Sequence, residues 1–222
     1  MGRQIIIGLT AEGTTDIRFL ESVVTRTFQN IAFNECEYDL ELQVHILETK
    51  KIGLDFPEFT QKASIDGVEK FGISVLAIHS DADKDSYEER KQHKFVPAQQ
   101  TLDALEEDCC KLLVPIIPVR MIEAWMLADT DLLKSEMGTD KSDNVLGIDR
   151  NPESMADPKN VIEQAIKIAT EDKPKRRQRL SISDLYSIVG DTIGIAALER
   201  LESYRKFQDE VRRAYRELNC IH

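Results

Sequence analysis

Residues 73–90 have the sequence ISVLAIHSDADKDSYEER, in which an apolar run passes directly into aspartates at alternate positions. A nearly continuous apolar run of this length is typical of a strand in a sheet that is covered on both faces. The three carboxylates, Asp81, Asp83 and Asp85, then stand close together where that strand ends, and their charges repel one another. The pattern indicates either a well-solvated turn or a place where positive charge is bound.

Other apolar segments predict the rest of the sheet. Three further short runs, rich in Ile, Val and Leu, have the character of strands: 4–9, 40–47 and 112–119. Between and after them lie segments in which apolar residues recur at helical spacing: 14–30, 58–71, 97–111 and a helix directly after the fourth strand. This alternation predicts an α/β fold, Rossmann-like, with a mostly parallel four-stranded sheet flanked by helices.

The second part of the chain has a different character. Residues 138–158 are rich in loop-forming residues, and the last long helix is expected over 193–218 with apolar residues along one side. We therefore predict an α/β domain over residues 1–130 and a helical C-terminal extension, residues 131–222, that packs on it.

Composition limits the classes of function. The chain has 222 residues, of which 41% are hydrophobic and 31% charged, as in an ordinary soluble globular protein. No apolar run approaches the roughly 18 residues of a membrane span, and the N-terminal residues do not resemble a signal peptide, so no membrane partner is expected and the cytoplasm is the expected location. The four cysteines have no metal-binding or redox spacing.

The net charge of −11 opposes binding to nucleic acid, because phosphate backbones are bound by concentrated positive charge. Binding would need a local basic patch, and one segment offers it: Lys173, Lys175, Arg176, Arg177 and Arg179. The same segment is equally compatible with a solvated linker between two helices. Lys84, which follows Asp81 and Asp83, is a further candidate for a phosphate contact, although lysines in loops usually face solvent. Arg120 either pairs with Glu123 or holds a phosphate with its bidentate guanidinium.

A third carboxylate position joins the aspartates. Glu12 follows the first strand as Asp81 and Asp83 follow the third, and the carboxyl ends of parallel strands share one edge of a sheet. Oxygen ligands of this kind suit Mg²⁺ or Mn²⁺. An EF-hand is excluded because Ser86 and Gln92 stand where that loop needs Gly and Glu. A solvated acidic loop stays open as the alternative.

These motifs resemble a known family. The strand followed by EGTTD (12–16), and the later strand followed by HSDAD (79–83), resemble the TOPRIM domain of topoisomerases, primases and OLD-type nucleases. The segment VPIIPVRMIEAWMLAD (114–129) resembles the small RloB-like branch of bacterial proteins of unknown function. The resemblance implies a Mg²⁺ centre for phosphodiester chemistry on Glu12, Asp81 and Asp83, a role in phage defence, and an ATPase as partner protein.

Three residues near these motifs allow two interpretations each. Glu123 is either a fourth carboxylate that accepts a proton or a first-turn residue favoured by the helix dipole. Trp125, the single tryptophan, is expected in the core rather than stacked on a base. His79 is expected to be a buried, hydrogen-bonded residue rather than a site residue.

Three functions remain open from the sequence. The first is a Mg²⁺-dependent nuclease that acts on DNA or RNA, which the resemblance implies. The second is a binding or regulatory subunit without catalytic activity, which the acidic net charge favours. The third is a phosphohydrolase that acts on a small metabolite and needs no basic surface.

Overall fold

The sheet lies at the centre of the computed structural model, which describes residues 3–221. Its strands are all parallel, in the order β2-β1-β3-β4: β1 (Arg3–Ala11), β2 (Leu40–Ile46), β3 (Val75–His79) and β4 (Leu113–Ile116). The predicted α/β class and parallel sheet are confirmed. The first and third strands are neighbours.

The helices follow the strands and continue through the second half of the chain. They are α1 (Thr14–Glu35), α2 (Phe56–Phe71), α3 (Tyr87–Arg90), α4 (Val96–Ala104), α5 (Glu123–Met126), α6 (Thr130–Met137), α7 (Asp143–Leu146), α8 (Pro158–Thr170), α9 (Ile182–Thr192), α10 (Ile195–Leu198) and α11 (Glu202–Glu217). A π-helical turn, Lys91–Phe95, joins α3 to α4, and 3₁₀ turns occupy Pro152–Ser154 and Arg177–Arg179. None of the helices within residues 3–221 is long and apolar enough to cross a membrane.

Two predicted helices were wrong in their bounds. The helix expected over 97–111 ends at Ala104, before three consecutive acidic residues, 106–108, whose charges would oppose the negative end of a helix dipole. The helix expected over 193–218 is divided into α10 and α11. The carboxylate of Glu153 explains the division, because it accepts the backbone N–H groups of Glu202 and Ser203 at 2.8 Å each and so caps a new helix there.

Side chains of alternate strand residues supply two hydrophobic clusters, one on each face of the sheet. Ile5, Ile7 and Leu9 of β1 join the larger cluster, which also contains residues of α1, α5, α8, α9 and α11. Leu76 and Ile78 of β3 belong to the other cluster, with residues of α2 and α4. The C-terminal helices therefore share a core with one face of the sheet, and both faces of β3 are buried, as its unbroken apolar sequence predicts.

Candidate functional site

The site lies where the strand order reverses. From β1 the chain continues to β2 on one side, whereas β3 and β4 lie on the other side. Ligands of parallel α/β sheets bind beyond the carboxyl ends of the strands at such a point. We call this place, beyond the ends of β1 and β3, the crevice. Ala11 pairs with His79 in the sheet, and the residues that follow meet directly: Ser80 Oγ donates to Glu12 Oε2 at 2.8 Å. Glu12 and Asp81 therefore stand at the ends of neighbouring strands.

Two lysines surround the carboxylate of Glu12. Lys94 Nζ donates to both of its oxygens at 2.9 Å and also lies 2.9 Å from Ser80 Oγ, while Lys51 forms a further ion pair with Oε1. Burial raises the pKa of Glu12, but the hydrogen bonds from Lys51, Lys94 and Ser80 outweigh it and lower the pKa to about 2. Glu12 is therefore ionised and held in place at neutral pH.

The contact between Lys94 and Glu12 makes the free energy of unfolding depend on pH in the acid range. Because the pKa of Glu12 is about 2 in the folded chain, against an ordinary value of 4.5, the stability it contributes is present above about pH 4.5 and is lost as the pH falls toward 2. Lys94→Met is expected to raise the pKa of Glu12 and to weaken this acid dependence. Carboxyl titration by NMR, with unfolding measured between pH 2 and 6, checks it.

A matched control for this prediction is Lys62→Met. Lys62 is exposed on α2, and its substitution removes the same charge. That variant should leave the pKa of Glu12 where it is in the parent protein. An unchanged Glu12 titration in Lys94→Met would contradict the prediction.

The position of Lys94 depends on the π-helical turn. This turn, Lys91–Phe95, follows a single turn of α-helix that a Ser86–Glu89 capping box begins. Lys94 then reaches the crevice with its ammonium 5.1 Å from the ring centroid of Phe56. π-helical turns occur frequently at functional sites.

The structure shows how the charges of the three aspartates are compensated. Asp81 Oδ1 lies 3.1 Å from His79 Nε2. Arg90 donates to Asp83 Oδ2 at 2.8 Å and to the carbonyl of Ala82 at 2.8 Å, and its Nε lies 3.4 Å from Asp85 Oδ2. Asp83 itself has a left-handed backbone, φ 55°, and its side chain is 65% exposed. Two of the three predicted metal ligands, Glu12 and Asp81, lie at the crevice. The third, Asp83, is instead paired with Arg90.

His79 links Asp81 to a further carboxylate. The imidazole is buried, and its Nδ1 lies 3.6 Å from Asp16 Oδ2 with no hydrogen-bond partner in the described part of the chain. Burial lowers the pKa of His79, but the charges of Asp81 and Asp16 outweigh it and raise the pKa. Both aspartates are thus held beside one imidazole, and the predicted burial of His79 is confirmed.

Glu123 is the first residue of α5, as one of its two interpretations has it, and it is buried in the same region. Only 4% of it is exposed, and the hydroxyl of Tyr186 in α9 donates to Glu123 Oε1. Burial raises the pKa of Glu123, and the charge of Asp81 adds to the effect. Burial likewise raises the pKa of Asp16, again with a contribution from Asp81. The negative charge of Asp81 therefore acts on both Asp16 and Glu123.

The basic residues proposed for phosphate contacts lie in two places. Arg120, with φ 67°, donates from Nη1 to the carbonyl of Asp83 at 3.2 Å, and Lys84, the residue after Asp83, is exposed. The remaining candidates are all exposed, on the turn between α8 and α9: Lys173, Lys175, Arg176, Arg177 and Arg179. Within residues 3–221, none of these five pairs with a carboxylate of the crevice.

Several residues of the site were not predicted from the sequence. Lys51 follows β2, and the rule that placed Glu12 and Asp81 at the carboxyl edge would have placed Lys51 there too. Lys94 and Tyr186 carried no such signal, because a π-helical turn and a packing contact between distant helices have no short sequence pattern.

Comparison with known proteins gives no match: no family model, no curated protein and no solved structure corresponds to the chain. The TOPRIM resemblance stays a prediction that rests on residues 12–16, 79–83 and 114–129.

Proposed function

We propose that the chain is a TOPRIM-like, Mg²⁺- or Mn²⁺-dependent nuclease that hydrolyses phosphodiester bonds of DNA or RNA. One observation carries the proposal: four carboxylates from three separate segments of the chain lie at the switch point of a parallel sheet, Glu12, Asp16, Asp81 and Glu123. Burial raises the pKa values of Asp16 and Glu123, and the negative charge of Asp81 adds to the effect. A divalent cation bound there would offset that repulsion.

The donor chemistry of the crevice fits such an ion, since carboxylate oxygens are the ligands that Mg²⁺ and Mn²⁺ prefer. In this conformation, no three Asp, Glu, His or Cys side chains of residues 3–221 are placed to hold one metal ion together. Glu12, Asp81 and Asp83 would hold it, exchanging Lys51, Lys94 and Arg90 for the cation. A bound ion supplies Lewis-acid activation of the phosphoryl group and lowers the pKa of a water.

The surrounding side chains suit the other parts of the reaction. Glu123 can accept the proton of the attacking water, because a carboxylate with a raised pKa is a stronger base at neutral pH, and Tyr186 fixes its orientation. Lys51 and Lys94 can bind phosphate oxygens when released from Glu12. Lys84, Arg120 and the basic turn of residues 173–179 would hold the nucleic-acid backbone against the net charge of −11.

The test is a cleavage assay of the purified chain with single-stranded DNA, double-stranded DNA and RNA, each with Mg²⁺, Mn²⁺ or EDTA. We expect cleavage of at least one polymer that EDTA abolishes. Absence of cleavage from every polymer would refute the nuclease proposal for the isolated chain. Release of phosphate from nucleotides, without cleavage of polymers, would instead support the small-molecule phosphohydrolase.

A second candidate is a binding or regulatory subunit without catalytic activity, which acts with an ATPase partner in cytoplasmic phage defence. The specific observation that favours it is the pairing of Glu12 with two lysines and of Asp83 with Arg90, which neutralises both carboxylates without metal. Titration with Mn²⁺ by calorimetry separates the two: heat of binding that Glu12→Gln abolishes supports the nuclease, and absence of binding supports the subunit.

A further inference from the structure

The outer edge of β2 carries no further strand within residues 3–221. In the sheet described for residues 3–221, β2 is the terminal strand and pairs with β1 alone. Leu47, directly after β2, donates its backbone N–H to the carbonyl of Leu9. Since backbone groups of successive strand residues point to opposite sides, Leu40, Leu42, Val44 and Ile46 direct their N–H and C=O groups away from β1. Edges of this kind are templates for a further strand.

The sequence of β2, LELQVHI, is complementary to itself when a second copy runs antiparallel. An axis at Gln43 pairs the strand along its whole length. It sets Leu40 opposite Ile46 and Leu42 opposite Val44, so that apolar residues meet apolar residues. It also sets Glu41 opposite His45, an acid opposite a base, which are favourable cross-strand neighbours.

The backbone pattern of this arrangement agrees with the side-chain pattern. The residues that direct their N–H and C=O groups outward are the ones that would face each other as hydrogen-bonded pairs, Leu40 with Ile46 and Leu42 with Val44. Glu41, Gln43 and His45 then form the non-hydrogen-bonded pairs, in which side chains approach most closely.

An exposed apolar residue lies beside the same edge. Phe33, near the end of α1, is 89% exposed, although large aromatic side chains are usually buried. It shares a cavity of about 500 Å³ with Leu40 and Leu42 of β2. A two-fold axis perpendicular to the sheet would keep α1 of both copies on one face, so the second copy would cover this apolar surface.

We infer that β2 is the interface of a homodimer, in which two copies of the chain join edge to edge into one continuous sheet across an axis at Gln43. The contact is isologous, as every interface on a two-fold axis is. This inference does not depend on the proposed function, because β2 contributes none of the carboxylates of the crevice.

The first experiment measures the mass of the full chain by sedimentation, over a range of concentrations, in buffer with enough salt to screen the net charge of −11. The parent protein is expected to be a dimer. Gln43→Glu sets like charges opposite each other on the axis and should raise the dissociation constant up to about fivefold. Gln164→Glu, on an exposed position of α8, makes the same charge change and should leave it unaltered.

The second experiment tests the register by oxidation, in a background where Cys36 and Cys109 are replaced by Ser. Gln43→Cys is expected to form a disulfide-linked dimer, because residue 43 faces itself across a non-hydrogen-bonded pair whose Cα atoms are about 4.5 Å apart. Glu41→Cys faces His45 and should cross-link several-fold less, whereas Glu41→Cys combined with His45→Cys should cross-link again.

Each outcome decides the inference. A parent protein that is monomeric at all concentrations would overturn the inferred homodimer. The outer edge of β2 would then be available to a strand of another protein. A dimer in which Gln43→Cys cross-links no better than Glu41→Cys would also overturn it, since the interface would then lie elsewhere.

Discussion

Asp81→Asn is expected to reduce metal-dependent cleavage at least about 100-fold, because even the outer partners of a metal site contribute 10- to 100-fold to its function. Asp81 follows β3 at the switch point, contacts His79, and is coupled to the charges of Asp16 and Glu123. The amide keeps the shape of the side chain but removes the charge that a cation requires. Initial rates of cleavage with Mn²⁺ measure the effect.

The matched control is Asp85→Asn, from the same acidic stretch. Asp85 lies 3.4 Å from Arg90 and has no contact with His79 among the described residues, so its amide variant should retain most of the activity. Urea unfolding of both variants separates loss of activity from loss of fold. Full activity in a folded Asp81→Asn protein would refute the assignment of Asp81.

Trp125→Ala is expected to lower the free energy of unfolding by about 3–5 kcal/mol, the usual cost of removing a large buried aromatic side chain. Trp125 is completely buried, its ring centroid lies 5.2 Å from that of Tyr204 and 5.9 Å from that of Phe207, and its Nε1 donates to Ser203 Oγ at 2.8 Å. These contacts connect α5, which follows the sheet, to α11. Chemical denaturation measures the change.

Two further variants separate the contributions. Trp125→Phe keeps most of the apolar volume but leaves the Ser203 hydroxyl without its donor, so a smaller loss of about 1–3 kcal/mol is expected. Ile52→Ala removes an apolar side chain that is 87% exposed and should change the stability by no more than about 0.5 kcal/mol. Equal stability of Trp125→Ala and Ile52→Ala would contradict the assigned role of Trp125.

The fold was predictable where a local pattern decides it. The unbroken apolar sequence of β3 and the alternation of strands with helices led to the parallel sheet, and the strand order then brought Glu12 and Asp81 to one edge. Helix ends were less predictable, because they depend on distant groups. The carboxylate of Glu153, which begins α11, is about fifty residues away along the chain.

The site was predictable only in part, for the same reason. Carboxylates that directly follow strands are fixed by topology, so Glu12 and Asp81 could be placed from the sequence. The partners of those carboxylates depend on side-chain packing: Lys94 arrives through an irregular turn, and Tyr186 through the packing of α9 near α5. Asp83 is the clearest example. Its partner Arg90 lies in the same segment, residues 73–90, but the sequence does not show that the two side chains pair.

Because of the π-helical turn, the direction of the Lys94 side chain depends on the number of residues between α3 and α4. A regular α-helix advances about 100° per residue, so deletion of one residue from Lys91–Phe95 would straighten the helix and rotate this ammonium away from Glu12 by about that angle. Substitutions at neighbouring positions would leave the geometry in place. The spacing between the aspartates and α4 is therefore itself part of what builds the crevice.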